Sequence, residues 1–476
     1  AMAAEASDMS GWLLMGLPGV AYWFGLSDAI WTAIGLLIGT YLNWLFVAKR
    51  LRGYSVVADD AITIPDFFSN RFHEKNKVIM VIASLFILVF FTVYASSCFV
   101  AVGKLFSTLF GTNYQLMMII GALFVVSYTF VGGFLAESAS DFMQGIIMFF
   151  SLLVVMVAGV SYAGGMSGVL SNVRAFPGFL EFFGIAQPVM ANGEQVVQAG
   201  RPLFGPAAKY GFLTVVSTLS WGLGYFGMPQ VLLKFMAIRK TNELAFSRRI
   251  ATTWCAISLG AAVLIGMIGR AIYPTAFLTQ SAAEKVFILL STNFFPPFFA
   301  GIVMAGILAA TISSSDSYLL IAASAFSKSI YQRIMRKEAS DRAVLYVTRI
   351  TLLVIAALAM IIALDENSVI FTVVSFAWAG FGATFGPIML FSLFWKRTTL
   401  YGALAGMLSG GISIFVWKFL VAKYIGKYIS ILNIYELLPA FIIASLAIVI
   451  VSLLGKEPSK EIQDQFDLVA SKQPIE

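Results

Sequence analysis

The chain has 476 residues, of which 59% are hydrophobic and only 12% charged, with a mean hydropathy of +0.89 and a formal net charge of +7. Soluble domains carry roughly 25% charged residues, so this composition excludes a soluble globular protein. It also excludes a nucleic-acid binder, because the basic residues lie in short loops between apolar runs, and it excludes a His-rich metal site and most His-based catalysis, because His73 is the one histidine.

The long apolar runs indicate an all-α polytopic membrane protein, since barrel strands would be short and alternating. Forty glycines suit close helix packing and helix breaks in lipid. Cys98 and Cys255 fall inside apolar segments, which argues against a disulfide framework. No cleavable signal peptide is visible. Ala1 to Val20 reads as the later part of a membrane segment with no charged flank before it, so the native chain is expected to continue upstream.

About twelve apolar segments are long enough to span, at ~20 residues each. The first, partial one carries Glu5-Ala6-Ser7-Asp8-Met9-Ser10-Gly11-Trp12 and then Gly16-Leu17-Pro18-Gly19. Two carboxylates and two hydroxyls stand there among glycines. A charged residue at membrane depth costs ~2.5–3.5 kcal/mol on insertion scales. Local unwinding at Gly11, Gly16 and Gly19 would free carbonyls for a hard cation such as Na⁺ and N–H groups for a substrate carboxylate. The alternative is that Asp8 and Ser7 cap a helix piece and the glycines serve packing.

Further segments are expected at about 27–47, 77–107, 114–132 and 139–163. Between the first two of these, Thr63-Ile64-Pro65-Asp66 followed by Phe67 and Phe68 has the form of a capped, Pro-started amphipathic helix. Ser138-Ala139-Ser140-Asp141 with Gln144 is expected to open a helix. Ser138 and Asp141 have capping-box-like spacing there, and Asp141 is alternatively a cation ligand. A loop at 164–209 carries Phe176, Phe179, Phe182 and Phe183, which are expected to pack over the extracellular mouth.

The segment at about 210–236 contains the second interruption, Ser220-Trp221-Gly222-Leu223-Gly224-Tyr225-Phe226-Gly227-Met228-Pro229. Two Gly/Pro-interrupted apolar segments in corresponding places of the two halves point to a transporter binding site. Trp221 and Tyr225, four apart, would share a face if helical. They suit either an aromatic clamp on a small solute or packing and interfacial anchoring. Segments at about 246–273 and 293–328 follow. The second holds Gly306-Ile307-Leu308-Ala309-Ala310-Thr311-Ile312-Ser313-Ser314-Ser315-Asp316-Ser317. Ala310, Ser313, Ser314 and Ser317 form one helical stripe. Facing a broken helix it would complete an oxygen cage around Na⁺; otherwise its hydroxyls bond back to the helix or across to a neighbour. Asp316 is a further costly carboxylate. The last segments are expected at about 344–363, 368–394, 399–422 and 434–455, followed by a loose polar tail.

The loops rich in Lys and Arg (Lys49, Arg50, Arg52, Arg71 and Lys75; Arg239, Lys240, Arg248 and Arg249; Lys328, Arg333, Arg336, Lys337 and Arg342; Lys396 and Arg397) alternate with poorer ones. The positive-inside rule places them, and the C-terminus with Lys456, Lys460 and Lys472, in the cytoplasm. Lys423 and Lys427 fall on the outer side. Five segments on each side of 164–209, each set opening with an interrupted one, suggest five-plus-five inverted repeats. The expected division is 1–163, an extracellular loop at 164–209, 210–394, two additional transmembrane helices at 395–455, and a cytoplasmic tail at 456–476.

Several of these stretches together resemble the sodium/solute symporter family, and within it the branch that carries proline. They are Ala6 to Gly19, Tyr128-Thr129-Phe130-Val131-Gly132-Gly133-Phe134-Leu135-Ala136, Trp221-Gly222-Leu223-Gly224-Tyr225-Phe226-Gly227, Ala377-Trp378-Ala379-Gly380-Phe381-Gly382, Phe385-Gly386-Pro387 and Leu454-Gly455-Lys456. The resemblance spans nearly the whole chain. It implies a LeuT-like inverted-repeat fold of thirteen helices, one of them before Ala1. It implies a Na⁺ site from the backbone at Ala6, Met9 and Ala310 and the hydroxyls of Ser313 and Ser314. Substrate positions carried over are Ser10, Gly11, Tyr94, Trp221, Tyr225 and Pro229. Asp8 and Asp141 match acidic positions that serve cation coupling. Glu5, Met228 and Ser315-Asp316-Ser317 depart from the pattern. A second cation between Asp141 and the Ser314–Ser317 region, with Asp316 and Ser317, is a hypothesis.

The expected function is therefore a Na⁺-coupled symporter importing L-proline across the bacterial cytoplasmic membrane by alternating access, as a monomer surrounded by lipid, and not an enzyme. The proline assignment rests on the resemblance; the residues alone say a small, zwitterionic solute. Alternatives are a symporter of the same fold for pantothenate or a sugar acid, a proton-coupled variant using Glu5 or Asp316, and a substrate sensor.

Overall fold

The computed structural model describes residues 1–131 and 134–471. Gly132 and Gly133 of the Tyr128–Ala136 motif lie outside the described residues, as does Lys472. The described helices are, in order, α1 (Met2–Asp8), α2 (Leu17–Phe24), α3 (Leu26–Leu42), α4 (Ala48–Val57), α5 (Ile64–Arg71), α6 (Val78–Phe110), α7 (Tyr114–Val131), α8 (Phe134–Tyr162), α9 (Met166–Val173), α10 (Phe212–Leu219), α11 (Pro229–Met236), α12 (Leu244–Ile272), α13 (Gln280–Ala283), α14 (Val286–Phe294), α15 (Pro297–Ser324), α16 (Asp341–Ile362), α17 (Ile370–Phe394), α18 (Leu400–Val416), α19 (Leu437–Leu454) and α20 (Lys460–Ala470).

Nine of the described helical stretches are long and apolar enough to cross a membrane. Three of the twelve expected spans fall outside that set: the one at about 114–132, whose described part is the shorter apolar helix Tyr114–Phe130, and the first and sixth, each of which is cut in two. In the first, Met9 leaves helical geometry (φ −89°, ψ 84°), the Ser10 N–H turns back to the Asp8 carbonyl at 3.2 Å, and a wide-turn stretch at Trp12–Gly16 leads into α2. In the sixth, tight 3₁₀ turns at Ser220–Gly227 separate α10 from α11, and Pro229 starts α11, where its missing N–H costs nothing. The tight turns also replace the continuous helix on which Trp221 and Tyr225 would share a face.

The core forms where α15 lies against α6 and α8, and where α17 packs against α6 and the Ser220–Gly227 turns. Here glycine is a packing requirement. A Cβ on Gly39 of α3 would sit 2.3 Å from the Gly222 carbonyl, so α3 crosses the second break backbone to backbone. α18 and α19 pack on each other and on α17.

At the end of the bundle that carries the basic loops, α5 forms as its sequence predicts. Thr63 Oγ1 accepts the Asp66 N–H at 3.2 Å, and Phe67 and Phe68 are buried. Asp66 also meets Arg333 at 2.9 Å. Burial pushes the Asp66 carboxyl above its ordinary value, against the pull of Arg333.

The loose tail expected after 455 is instead partly helical. Ser459 caps α20, and Ile462 and Phe466, four apart, are buried on one face. Arg71 lies over the Phe466 ring at 5.8 Å, and Lys396 pairs with Asp467 at 2.5 Å. The apolar contribution is two or three side chains in a polar stretch, too sparse to register without the surface it docks on.

At the opposite end, 164–209 folds into α9 and three short antiparallel pairs: hairpins at 190–195 and 197–202, and a pair of 184–185 with 208–209 that encloses them. Phe176 and Phe179 pack with Phe204, and Arg270 of α12 lies over the Phe204 ring at 4.9 Å. Phe182 and Phe183 stay exposed and lean on Trp31.

Candidate functional site

The two breaks come together at mid-bundle with α15 beside them. The Ser313 hydroxyl donates to the Ala6 carbonyl at 2.8 Å and approaches the Ala310 carbonyl at 3.1 Å. The Ser314 hydroxyl reaches the same Ala6 carbonyl at 3.5 Å. Four of the five expected Na⁺ positions (Ala6, Ala310, Ser313 and Ser314) thus converge on one point, with Met9 at the C-terminal end of α1 beside them. All are shielded from solvent. A carbonyl and two hydroxyl oxygens in a dry site are the hard, neutral ligand set that suits a small monovalent cation.

Around this point the buried polar groups are arranged from several helices. Asp8 Oδ1 accepts from Gln230 Nε2 at 3.0 Å and its backbone carbonyl accepts from the Tyr318 hydroxyl at 3.3 Å; Oδ2 forms no well-aligned hydrogen bond among the described residues, with the Tyr225 hydroxyl beside the carboxylate. Glu5 Oε1 accepts from Trp44 Nε1 at 3.2 Å. Gln230 and Tyr318 carry no signal in the linear sequence: each meets Asp8 only through the fold.

The expected substrate residues split into two groups. Ser10 and Gly11 lie in the first break, buried. A Cβ on Gly11 would come within 2.7 Å of Ala101 on α6, so its absence brings the two backbones together. Tyr94 of α6 stacks on Tyr318 at 4.3 Å between ring centroids. Trp221 lies among Trp12, Phe371, Trp378 and Tyr435, and Tyr225 meets the Trp378 edge at 5.0 Å. The Trp378 indole N–H donates to the Trp221 carbonyl at 2.8 Å and holds the second break in place. The hydroxyls of Tyr94 and Tyr225 are buried and form no well-aligned hydrogen bond among the described residues; Tyr318 lies beside the first, and Asp8 and Thr40 beside the second. Buried polar groups are nearly always paired, and these two loosely held hydroxyls stand beside the breaks.

Asp141 departs from the capping expectation. α8 begins at Phe134, which places Ser138 and Asp141 inside the helix, where a cap has no orphan N–H to satisfy. Instead Asp141 Oδ2 and Ser138 Oγ meet the Lys234 ammonium, each at 3.1 Å. Ser317, on the far turn of the hydroxyl stripe, donates to Glu137 rather than facing Ala6. Asp316 Oδ1 accepts only its neighbour's Ser317 N–H among the described contacts. Lys234 and Glu137 were not singled out from the sequence, although an ionisable residue at membrane depth is a signal in itself.

Two features flank the site. Toward the hairpin end, Lys104 of α6 and Glu284 form a buried ion pair at 2.7 Å. Lys104 also donates to the Ser281 side chain and to the Ser368 carbonyl, while Glu284 accepts the N–H groups of Ile370 and Phe371 at 3.0 Å. α6, α13 and the start of α17 are thereby tied across that end. Toward the basic end a cavity of about 760 Å³ opens between α5, α11, α15 and α16, lined by Leu233, Met236, Leu320, Ile321 and Lys328 among others.

Two broken segments facing each other at mid-bundle, with hydroxyls from a third helix aimed into the first, define a helical secondary transporter of inverted-repeat fold. A solved Na⁺-coupled sialic acid symporter, captured substrate-bound and outward-open, shares this fold with a TM-score of 0.73 at 16% identity, over 96% of this chain and 90% of its own. The family model described as Sodium:solute symporter family matches residues 1–410. Among curated relatives, the osmoregulated proline transporter OpuE of Bacillus subtilis is 40% identical over 461 residues, 97% of this chain and 87% of its own. The sodium/proline symporter of Escherichia coli is 38% identical over 470 residues, 98% and 87% respectively. The chain belongs to the sodium:solute symporter family, a family of transporters.

Proposed function

We propose that this chain imports L-proline together with Na⁺ across a bacterial cytoplasmic membrane by alternating access. The observation that carries the reading is the convergence of the Ser313 and Ser314 hydroxyls on the Ala6 carbonyl, in a chain whose relatives at about 40% identity are named proline transporters. Na⁺ takes Ala6, Met9, Ala310, Ser313 and Ser314. Proline lies against Ser10 and Gly11, with Tyr94, Trp221, Tyr225 and Pro229 around it. Its carboxylate suits backbone N–H groups freed at a break, and its ring suits aromatic faces. Asp8 holds negative charge beside the cation.

The basic loops and α20 face the cytoplasm, which follows from the Lys and Arg distribution. The two repeats are 1–163 and 210–394, 164–209 covers the outer mouth, and 395–455 adds two helices outside the repeats. On that orientation the Lys104–Glu284 latch supports a state closed to the outside, and the 760 Å³ cavity is the cytoplasmic exit. One charge moving through 100 mV supplies ~2.3 kcal/mol before any concentration gradient. The working unit is the monomer, since each ligand position belongs to one chain.

The test is labelled proline uptake into liposomes holding the purified protein, with an inward Na⁺ gradient or with K⁺ in its place. Accumulation only with Na⁺, lost in Ser314→Ala and Asp8→Asn, is the expected result. Uptake that survives Na⁺ removal and falls at alkaline pH would instead assign coupling to a proton on Glu5 or Asp316, whose buried Oε2 and Oδ2 have no hydrogen-bond partner among the described residues. Competition by pantothenate or a sugar acid, with none by proline, would reassign the substrate.

A further inference from the structure

One cluster of buried charge lies beside the proposed Na⁺ position without belonging to it. Glu137 and Asp141 on α8 face Asp316 and Ser317 on α15, and all four are buried. Ser317 is one helical turn beyond Ser313 and Ser314, so this chamber is the next stop along the same helix. The Lys234 ammonium enters it from α11, 3.1 Å from Asp141 Oδ2, 3.3 Å from Glu137 Oε1 and 3.1 Å from Ser138 Oγ. Its side chain is 11% exposed. Its neighbours Leu233 and Met236 line the cavity. Lys234 thus links α11, which helps line the cavity, to the carboxylates of α8.

The chamber is built for more positive charge than a neutral helix interface needs. Two carboxylates, Glu137 and Asp141, pair with one ammonium, and a third, Asp316, lies beside them. Glu137 Oε2, Asp141 Oδ1, Asp316 Oδ2 and Gln144 Oε1 are buried and have no hydrogen-bond partner among the described residues. These are hard oxygen donors of the kind a small monovalent cation takes. Buried carboxylates without a counter-charge are expensive, so removing the ammonium leaves a site that a soluble cation would fill.

We propose that Lys234 is a tethered counter-cation: its ammonium takes the place that a second Na⁺ would otherwise occupy between Asp141, Glu137 and the Asp316–Ser317 turn, and it limits this chain to one Na⁺ per transport cycle. This rests on the reading as a Na⁺ symporter. It makes Lys234 a determinant of stoichiometry, acting by competition, and it replaces the expectation of a second soluble ion in the native chain.

The experiment counts Na⁺ in two ways. Purified wild-type, Lys234→Gln and Lys234→Arg proteins are titrated with radiolabelled Na⁺ in detergent, and the same proteins in liposomes are assayed for the ratio of Na⁺ to proline flux. The wild type and Lys234→Arg are expected to bind one Na⁺ and move one per proline. Lys234→Gln is expected to bind two, and to return to one when Asp141→Asn is added. A Lys234→Gln protein that still binds one Na⁺ overturns the proposal, whether or not it transports. So does a wild type that binds two. Absence of Na⁺-driven proline uptake by the wild type would count against the symporter reading, while the binding titration would still decide the role of Lys234.

Discussion

The hydroxyl of Ser313 reaches the backbone carbonyl of Ala6 at 2.8 Å across 307 residues of sequence. The bond exists because α1 stops at Asp8 and Met9 turns away, so the carbonyls of its last turn lack helical partners. α15 supplies a donor where the helix no longer does. In the proposed Na⁺-bound state the same oxygens turn from donor–acceptor pair into ligands.

Ser313→Ala is therefore expected to raise the half-saturating Na⁺ concentration for uptake by tenfold or more, where tenfold is about 1.4 kcal/mol. Its thermal stability in detergent should fall by only about 1 kcal/mol, the net worth of one hydrogen bond. Unchanged Na⁺ dependence would remove Ser313 from the cation's shell.

Tyr94→Phe and Tyr225→Phe separate ligand contacts from packing. Each removes a buried hydroxyl that forms no well-aligned hydrogen bond among the described residues, and a polar group left unmet costs about 1–3 kcal/mol. Melting temperature should stay level or rise, while the proline KM increases about tenfold if the lost contact is worth about 1.4 kcal/mol. A level KM would make both hydroxyls bystanders.

The Lys104–Glu284 pair gives a third expectation. Removing one member of a buried pair costs about 3–5 kcal/mol because the other is left uncompensated. Lys104→Met should lower the melting temperature sharply and raise the reactivity of a cysteine placed at Phe371 toward a membrane-impermeant thiol reagent added from outside. Lys104→Met with Glu284→Leu should recover much of the stability. Equal melting temperatures for wild type and Lys104→Met would show that the pair does not hold this end shut.

Phe466→Ala tests the docking of α20. A buried Phe is worth roughly 3–5 kcal/mol in a closed core, and Phe466, on a surface groove, should give less. Amide exchange across 460–470 is expected to become fast while the transmembrane helices keep their protection. Retained protection would mean that Ser459 and the Lys396–Asp467 pair hold the helix without the ring.

The sequence alone determined the class of this protein. Long apolar runs dictate membrane helices because the backbone must satisfy itself in lipid. Gly11, Gly222 and Pro229 mark where helices stop, and clustered hydroxyls and carboxylates at those points show where a site is worth its insertion cost. These are local properties, so spans, breaks and the Ser313–Ser314 stripe were legible. Only the tertiary structure decided which groups meet. Gln230 on Asp8, Lys234 between Asp141 and Glu137, Lys104 on Glu284 and Phe466 under Arg71 are pairings between helices remote in sequence, and no periodicity within one helix encodes its neighbour. The same reason explains Asp141: its spacing from Ser138 fits a cap, but a charged partner arriving from α11 gives the pair its role.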